Sequence, residues 1–193
     1  MPGSVAGVLL AAGAGSRLGR PKAMVELGGR TLAERGVAML AAGGADPVLI
    51  VTGAVEVRVD GARAVPNPDW RTGMGSSVRA ALADLADGDA HAVVIALADQ
   101  PLVGAESVGR LIAAYRDGVS VAVAAYDGQP RNPVLIAREH WPAVTEAAAG
   151  DRGARAFLRA HPELVTLVEC GDTGRPDDID TPADLERVSL NLR

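Results

Sequence analysis

The sequence is short of cysteine, lysine, aromatics and positive charge, and each shortage excludes something. Cys170 is its single cysteine, so no intramolecular disulfide can form and no Cys-rich zinc site can be built, which suits a reducing compartment. Nineteen Lys+Arg stand against 24 Asp+Glu, a net charge of −5. That balance argues against a chain that coats nucleic acid or lies on a membrane surface, because both tasks need a positive face. No apolar run reaches the roughly 18 to 20 residues that span a bilayer. The apolar stretch Val5–Ala14 imitates the core of a secretory signal, but no Lys or Arg precedes it. Arg17, Arg20 and Lys22 follow it instead, the reverse of the order such a signal requires. A cytoplasmic location is therefore expected. Lys22 is also the only lysine, every other cation being Arg. It is informative because a compact ammonium and a planar guanidinium are not interchangeable beside a phosphate.

What is present is an ordinary globular composition, 48% hydrophobic and 22% charged over 193 residues, enough for one α/β domain spanning residues 1–193. Val5–Leu10, Pro47–Val51, Ala62–Val65, Ala92–Leu97 and Val119–Ala125 read as buried strands. Thr31–Ala42, Ser76–Leu85 and Glu106–Tyr115 carry apolar residues at spacings of three and four, as amphipathic helices do. Further on, Pro133–Ile136 and Leu164–Val168 read as strands, Ala143–Ala149 and Ala154–Ala160 as short helices. Thr181, Pro182 and Asp184 form the start signal of a last helix. The alternation predicts a Rossmann-like three-layer sandwich, a mostly parallel sheet with helices on both faces.

In such a sheet ligands gather beyond the carboxyl ends of the strands. The segments there are 11–21, 52–53, 66–75 and 99–101, all rich in Gly, Pro and polar residues. The first, LAAGAGSRLGRPK, places Gly13, Gly15, Arg17, Gly19 and Lys22 close together. Its glycines would let backbone N–H groups approach an anion, and its cations would neutralise a polyphosphate. The same glycines would equally serve a plain strand-to-helix turn. The dinucleotide fingerprint fails because Gly19 comes one residue late, and a phosphate-binding Gly-Lys-Ser/Thr motif fails because Arg20 and Pro21 follow Gly19. Ser76 and Ser77 could present donors to a phosphate or simply cap a helix. Trp70 reads as a lid or a packing anchor. His91, His140 and His161 have no ligand spacing, and Cys170 has no nearby His to activate it.

The stretch from Leu10 to Lys22 resembles the signature L-A-A-G-x-x-x-R-x-G-x-P-K of nucleotidyltransferases of the molybdenum cofactor cytidylyltransferase type, the MobA-like branch of the nucleoside-diphosphosugar pyrophosphorylase-like fold. NPDWRTGMGSSVRAAL (67–82), ALADQPLV (96–103), GDRGARAFL (150–158) and DIDTPADL (178–185) are similar to that family's later blocks, in order. The resemblance implies that a terminal phosphate of a molybdopterin-type substrate attacks the α-phosphate of CTP and displaces pyrophosphate. It implies that Arg17, Lys22 and Asp99 are catalytic. Ala11, Ala12, Gly13, Gly15, Ser16, Thr52, Gly53, Asn67, Ser76 and Ser77 would join them in holding the nucleotide. Asp99 and Asp180 would hold Mg²⁺, with Asp178 the competing ligand. Ala-Ala-Gly rather than Ala-Gly-Gly favours CTP over GTP. A molybdoenzyme acceptor is an expected partner; nucleic acid and membrane are not. Gly75 stands where the family usually has Ser, and Arg131-Asn132-Pro133 where it usually has Gly-His-Pro. Two alternatives stay open: transfer to another phosphorylated small molecule such as a sugar or polyol phosphate, and a non-catalytic carrier of the pterin.

Overall fold

Alternation along the strands decides the layering, because successive side chains of a strand point to opposite faces. The computed structural model describes residues 3–190. In β1 (Ser4–Leu10) Ala6, Val8 and Leu10 enter one core, while Val5 and Leu9 enter the other. A two-residue hairpin follows, β2 (Glu26–Leu27) and β3 (Arg30–Thr31). It turns on Gly28 and Gly29, both with φ in the left-handed region that glycine adopts freely. Helix α1 (Leu32–Ala42) starts at a capping box: Thr31 Oγ1 accepts from the Glu34 amide, and Glu34 Oε2 accepts from the Thr31 amide. Then come β4 (Val48–Thr52), β5 (Arg63–Pro66), α2 (Met74–Leu85), β6 (Ala90–Leu97) and α3 (Ala105–Arg116). The chain finishes with β7 (Val121–Tyr126), β8 (Gln129–Ala137), α4 (Trp141–Ala147), α5 (Arg155–Ala160), β9 (Val165–Glu169) and α6 (Pro182–Leu190).

The seven long strands form one sheet in the order β5-β4-β1-β6-β8-β7-β9. Strands β5, β4, β1 and β6 are mutually parallel, and β8 runs antiparallel to both β6 and β7. One face packs against α2, α4 and α5 through Val78, Leu82, Leu85, Val144 and Phe157; the other packs against α1 and α3 through Val37, Leu40, Val108 and Leu111. The expected three-layer α/β arrangement with a mostly parallel sheet is what forms. The main differences are local. The strand expected at Pro133–Ile136 starts four residues earlier, and α2 starts at Met74 rather than Ser76. Among the described residues no helix is long and apolar enough to cross a membrane.

A third, smaller core positions the chemistry. Leu18, Val25, Leu27, Leu32, Ile179 and Val188 pack together, drawing the first loop, the small hairpin, α1 and the C-terminal helix to one place. Leu18 is the neighbour of Arg17 and Ile179 the neighbour of Asp180. Burying those two apolar side chains therefore brings together charged residues 163 positions apart in sequence.

Candidate active site

The loop after β1 is rooted at the carboxyl ends of three strands. The Ala11 amide donates to Val51 O, the Ala98 amide to Leu10 O, and the Ala54 amide to Ala12 O. Beyond that root Gly15 takes φ +62°, and a Cβ there would run into the Arg20 carbonyl, so the loop can fold back on itself only with glycine at this position. A Cβ on Gly13 would meet nothing within 4 Å, which leaves its backbone open to a ligand. Among the described residues none accepts from the amides of Gly13, Ala14, Gly15 or Ser16. Free, clustered N–H groups of this kind form an anion-binding concavity.

Beside them sits a charge cluster. Lys22, in the single helical turn after Pro21, donates from Nζ to Asp99 Oδ2 at 2.7 Å and to Asp180 Oδ1 at 2.5 Å. Arg17 Nη2 lies 3.3 Å from the same Asp180 oxygen. Burial alone would lower the Lys22 pKa, but the Asp99 charge and the hydrogen bonds to Asp180 and Asp99 outweigh it, and the net shift is upward. The lone lysine is thus a paired, part-buried cation and not a solvated one. Asp99 stands two residues past the end of β6, and its Oδ1 is buried with no hydrogen-bond partner among the described residues. An orphaned carboxylate oxygen beside a second carboxylate is what a hard divalent cation requires, since such ions take oxygen ligands and complete their shell with water and phosphate.

Asp178 is held differently. Gln100 Nε2 donates to Asp178 Oδ1 at 2.9 Å, and the Ile179 amide donates to Asp99 O at 2.8 Å, so the 178–180 segment is clamped onto the residues after β6. Burial, followed by the Asp99 charge, raises the Asp178 pKa. Among the described residues no group of three or more His, Cys, Asp or Glu side chains is arranged to hold a metal. Any ion here would therefore depend on ligand oxygens as well as on Asp99 and Asp180.

A cleft of about 390 Å³ joins these parts. Residues 11–16, Lys22, Ser77 and Asp99 line it, together with Leu10, Trp70, Met74 and Leu97. Other sequence candidates lie elsewhere. Thr52, Gly53 and Asn67 line a neighbouring cleft of about 880 Å³. Gly53 packs closely against the lining of the first cleft, since a Cβ on it would meet Trp70 Cβ and Ala12 Cβ. Asn67 is consumed by internal bonds: its Nδ2 donates to Ser76 Oγ and Ser77 Oγ, and its Oδ1 accepts from the Asp69 amide. Ser76 Oγ donates to the Asp69 and Gly73 carbonyls. The structure therefore brings Ser77 to the cleft but not Ser76 or Asn67, because their polar atoms hold the 67–76 turn together. Asp180 and Arg17 are not among the residues lining the cleft: Asp180 is joined to it by its bond to Lys22, and Arg17 by its ion pair with Asp180.

Two further cleft residues lie inside the 67–82 and 150–158 blocks but are not among the site residues expected from the sequence. Arg71 lies with its guanidinium 4.5 Å from the Trp70 ring centroid, and Asp151 of the 148–151 segment lines the same cleft. Gly73 and Gly75 allow the 148–151 segment to dock on the start of α2: a Cβ on Gly73 would strike the backbone of Gly150, and one on Gly75 would come within 2.8 Å of Ala148 C and Ala149 N.

The sequence model of the MobA-like NTP transferase domain matches residues 7–165 of this chain. The chain belongs to that family. Nicotine blue oxidoreductase of Paenarthrobacter nicotinovorans is 41% identical over 198 residues, covering 95% of this chain and 96% of its own. A probable molybdenum cofactor guanylyltransferase of Opitutus terrae is 35% identical over 161 residues, covering 81% and 79%. The crystal structure of a homolog of Mycobacterium tuberculosis rv0371c, from Mycobacterium sp. strain JC1, superposes with a TM-score of 0.85 at 32% identity over 97% of this chain and 96% of that one. Within the MobA-like match lie the amide loop, Lys22, Asp99 and the cleft wall; Asp180 lies beyond its last residue, on the segment that Gln100 clamps.

Proposed function

We propose that this MobA-like protein is a cytoplasmic, Mg²⁺-dependent cytidylyltransferase that transfers CMP from CTP to the terminal phosphate of a molybdopterin-type cofactor and releases pyrophosphate. The observation that carries the reading is the joining of the free amides at 13–16 with Lys22, Arg17, Asp99 and Asp180 at the carboxyl edge of β1 and β6. Phosphoryl-type transfers ask little covalent chemistry of the protein, so positioning and charge neutralisation are the work to be done. The amides of Gly13 to Ser16 and the Lys22 and Arg17 cations receive the polyphosphate. Asp99 and Asp180 hold the metal, which when bound supplies charge neutralisation on the phosphates. The acceptor phosphate attacks the α-phosphorus of CTP, the bond to the β-phosphate oxygen breaks, and pyrophosphate leaves with that electron pair. CTP is the assigned donor because Leu10-Ala11-Ala12-Gly13 carries the cytidylyl form of the family motif. A molybdoenzyme would receive the product.

A second reading comes from the 41% identical relative, whose name is that of an oxidoreductase. The apolar side chains in the cleft lining, Trp70, Met74 and Leu97, would suit an apolar ring system. The paired carboxylates and the absence of G-x-G-x-x-G spacing in the loop support transfer over redox chemistry. Calorimetry with CTP, GTP, ATP and UTP in Mg²⁺, run beside an assay for oxidation of reduced nicotinamide dinucleotides, separates the two. Tight CTP binding supports the cytidylyl reading; a preference for GTP overturns its base assignment, and cofactor oxidation without nucleotide binding overturns the reading as a whole.

A further inference from the structure

One ammonium holds the two carboxylates together. Lys22 Nζ lies between Asp99 Oδ2 and Asp180 Oδ1, at 2.7 and 2.5 Å, and those are the carboxylates that the proposed function gives to the metal. Lys22, Asp99 and Asp180 are all part-buried, their side chains 22%, 23% and 31% exposed, so the arrangement is built into the cleft. We propose that the Lys22 ammonium is a stand-in for the divalent cation: in the ligand-free protein it fills the position between the two carboxylates, and it leaves when the metal arrives together with a polyphosphate. This inference rests on the reading of Asp99 and Asp180 as the metal's carboxylates.

Three observations carry it. The first is charge. Lys22 and Arg17 already offset Asp99 and Asp180, and only the nearby Asp178 carboxyl stands over, so a divalent cation added alone would leave the cluster net positive, whereas one added with a polyanion would not. Ligand count is the second. Among the described residues two carboxylates meet at the position, and a small hard cation needs further oxygens, which phosphates provide. The third is reach. The amides of residues 13–16 line the same cleft as Lys22, so a polyphosphate bound there gives the ammonium a new partner within the swing of its flexible four-carbon stem. While it waits, the ammonium keeps two like charges from driving each other apart, so the carboxylates are already assembled when the metal comes. Lys22 is in this respect a positioning residue for the metal as well as a phosphate contact.

The consequence is coupling: free protein binds divalent cations poorly, and metal and nucleotide each strengthen the binding of the other by the same factor. The test is a Mn²⁺ titration of the full chain without nucleotide, reading unbound Mn²⁺ by electron paramagnetic resonance. Lys22→Met is expected to bind Mn²⁺ about tenfold tighter than wild type or better, a gain within the usual range of coupled sites. Lys22→Gln repeats the test with a polar side chain if the Met variant folds poorly. Arg17→Gln removes a charge from the same cluster without emptying the position, and should change Mn²⁺ affinity by less than about threefold on the scale of an exposed ion pair. No gain in either Lys22 variant, or an equal gain in Arg17→Gln, overturns the inference. So does a gain that survives Asp99→Asn in the Lys22→Met background, since the metal would then be elsewhere. If Lys22→Met gains Mn²⁺ affinity but no nucleoside triphosphate binds the wild type, the stand-in holds and the proposed function fails; if nucleotide binds and that gain is missing, the stand-in fails and the proposed function holds.

Discussion

Replacing Gly75 by alanine sets two opposing effects against each other. Gly75 is buried in the first turn of α2, and an added Cβ would lie 2.8 Å from Ala148 C, 2.8 Å from Ala149 N and 3.0 Å from Ala148 O. All three are backbone atoms, so no side chain can rotate out of the way and the 148–151 segment must shift. Overpacking of this kind costs about 1–3 kcal/mol. A shift of Ala148 also weakens the hydrogen bond that its carbonyl accepts from Arg79, and bonds to charged groups are worth about 1.5–3 kcal/mol. Against this, exchanging Gly for Ala in a helix gains at most about 1 kcal/mol. The clash should win, with a net loss of about 2 kcal/mol. For a domain of this size that lowers Tm by roughly 4–8 °C. Urea unfolding followed by circular dichroism measures the loss, and CTP calorimetry should show weakened binding because Asp151 moves with the segment. Equal or higher stability in Gly75→Ala would refute the reasoning, since the wall would then be soft enough for helix propensity to decide.

Gly15→Ala should lose nucleotide affinity by about tenfold or more while the sheet stays folded, because the left-handed φ costs about 1–2 kcal/mol and the Arg20 carbonyl blocks the Cβ; unchanged CTP calorimetry would count against the amide loop. Thr181→Ala should cost about 1 kcal/mol in urea unfolding, since Thr181 Oγ1 accepts from the Asp184 amide and donates to Asp184 Oδ2 at the start of α6. Hydrogen bonds from Thr181, followed by Arg187, hold the Asp184 carboxyl down to about 2, below its ordinary 3.8. A depressed carboxyl pKa stabilises above the unfolded value, so this contribution should be complete above pH 3.8 and vanish as pH falls through about 2; Asp184→Asn should flatten that part of the acid-unfolding curve. An amine-directed label should modify the N-terminal amine before Lys22, whose raised pKa leaves little neutral amine, and the double variant Asp99→Asn, Asp180→Asn should speed Lys22 labelling.

Much of this architecture is legible in the sequence because burial writes it there. Continuous apolar runs such as Val93–Leu97 mark strands covered on both faces, and the Gly-rich and acidic segments that follow them mark the cleft. The direction of β8 is not legible, because alternation of side chains is the same in parallel and antiparallel strands and only the partners differ. Nor is the β2–β3 hairpin, whose strands are too short to carry a period. Within the site, Lys22 and Asp99 stand out by type and place. The internal bonds of Asn67 are not legible either, because its amide donates to Ser76 and Ser77 nine and ten residues away, and only the folded 67–77 turn brings them together. The roles of Asp178 and Asp180 separate only when Gln100 and Lys22 each take one of them, and those contacts cross more than 75 residues of chain.

Pyrophosphate release from each of the four nucleoside triphosphates, with molybdopterin cofactor and Mg²⁺, tests the assignment of cytidylyl transfer to this cleft most directly. Release with CTP should exceed that with the others, and it should be lost in both Asp99→Asn and Asp180→Asn while circular dichroism shows the fold unchanged. Release that survives Asp180→Asn and disappears in Asp178→Asn would move the metal two residues along the chain; no release with any nucleotide would contradict the assignment.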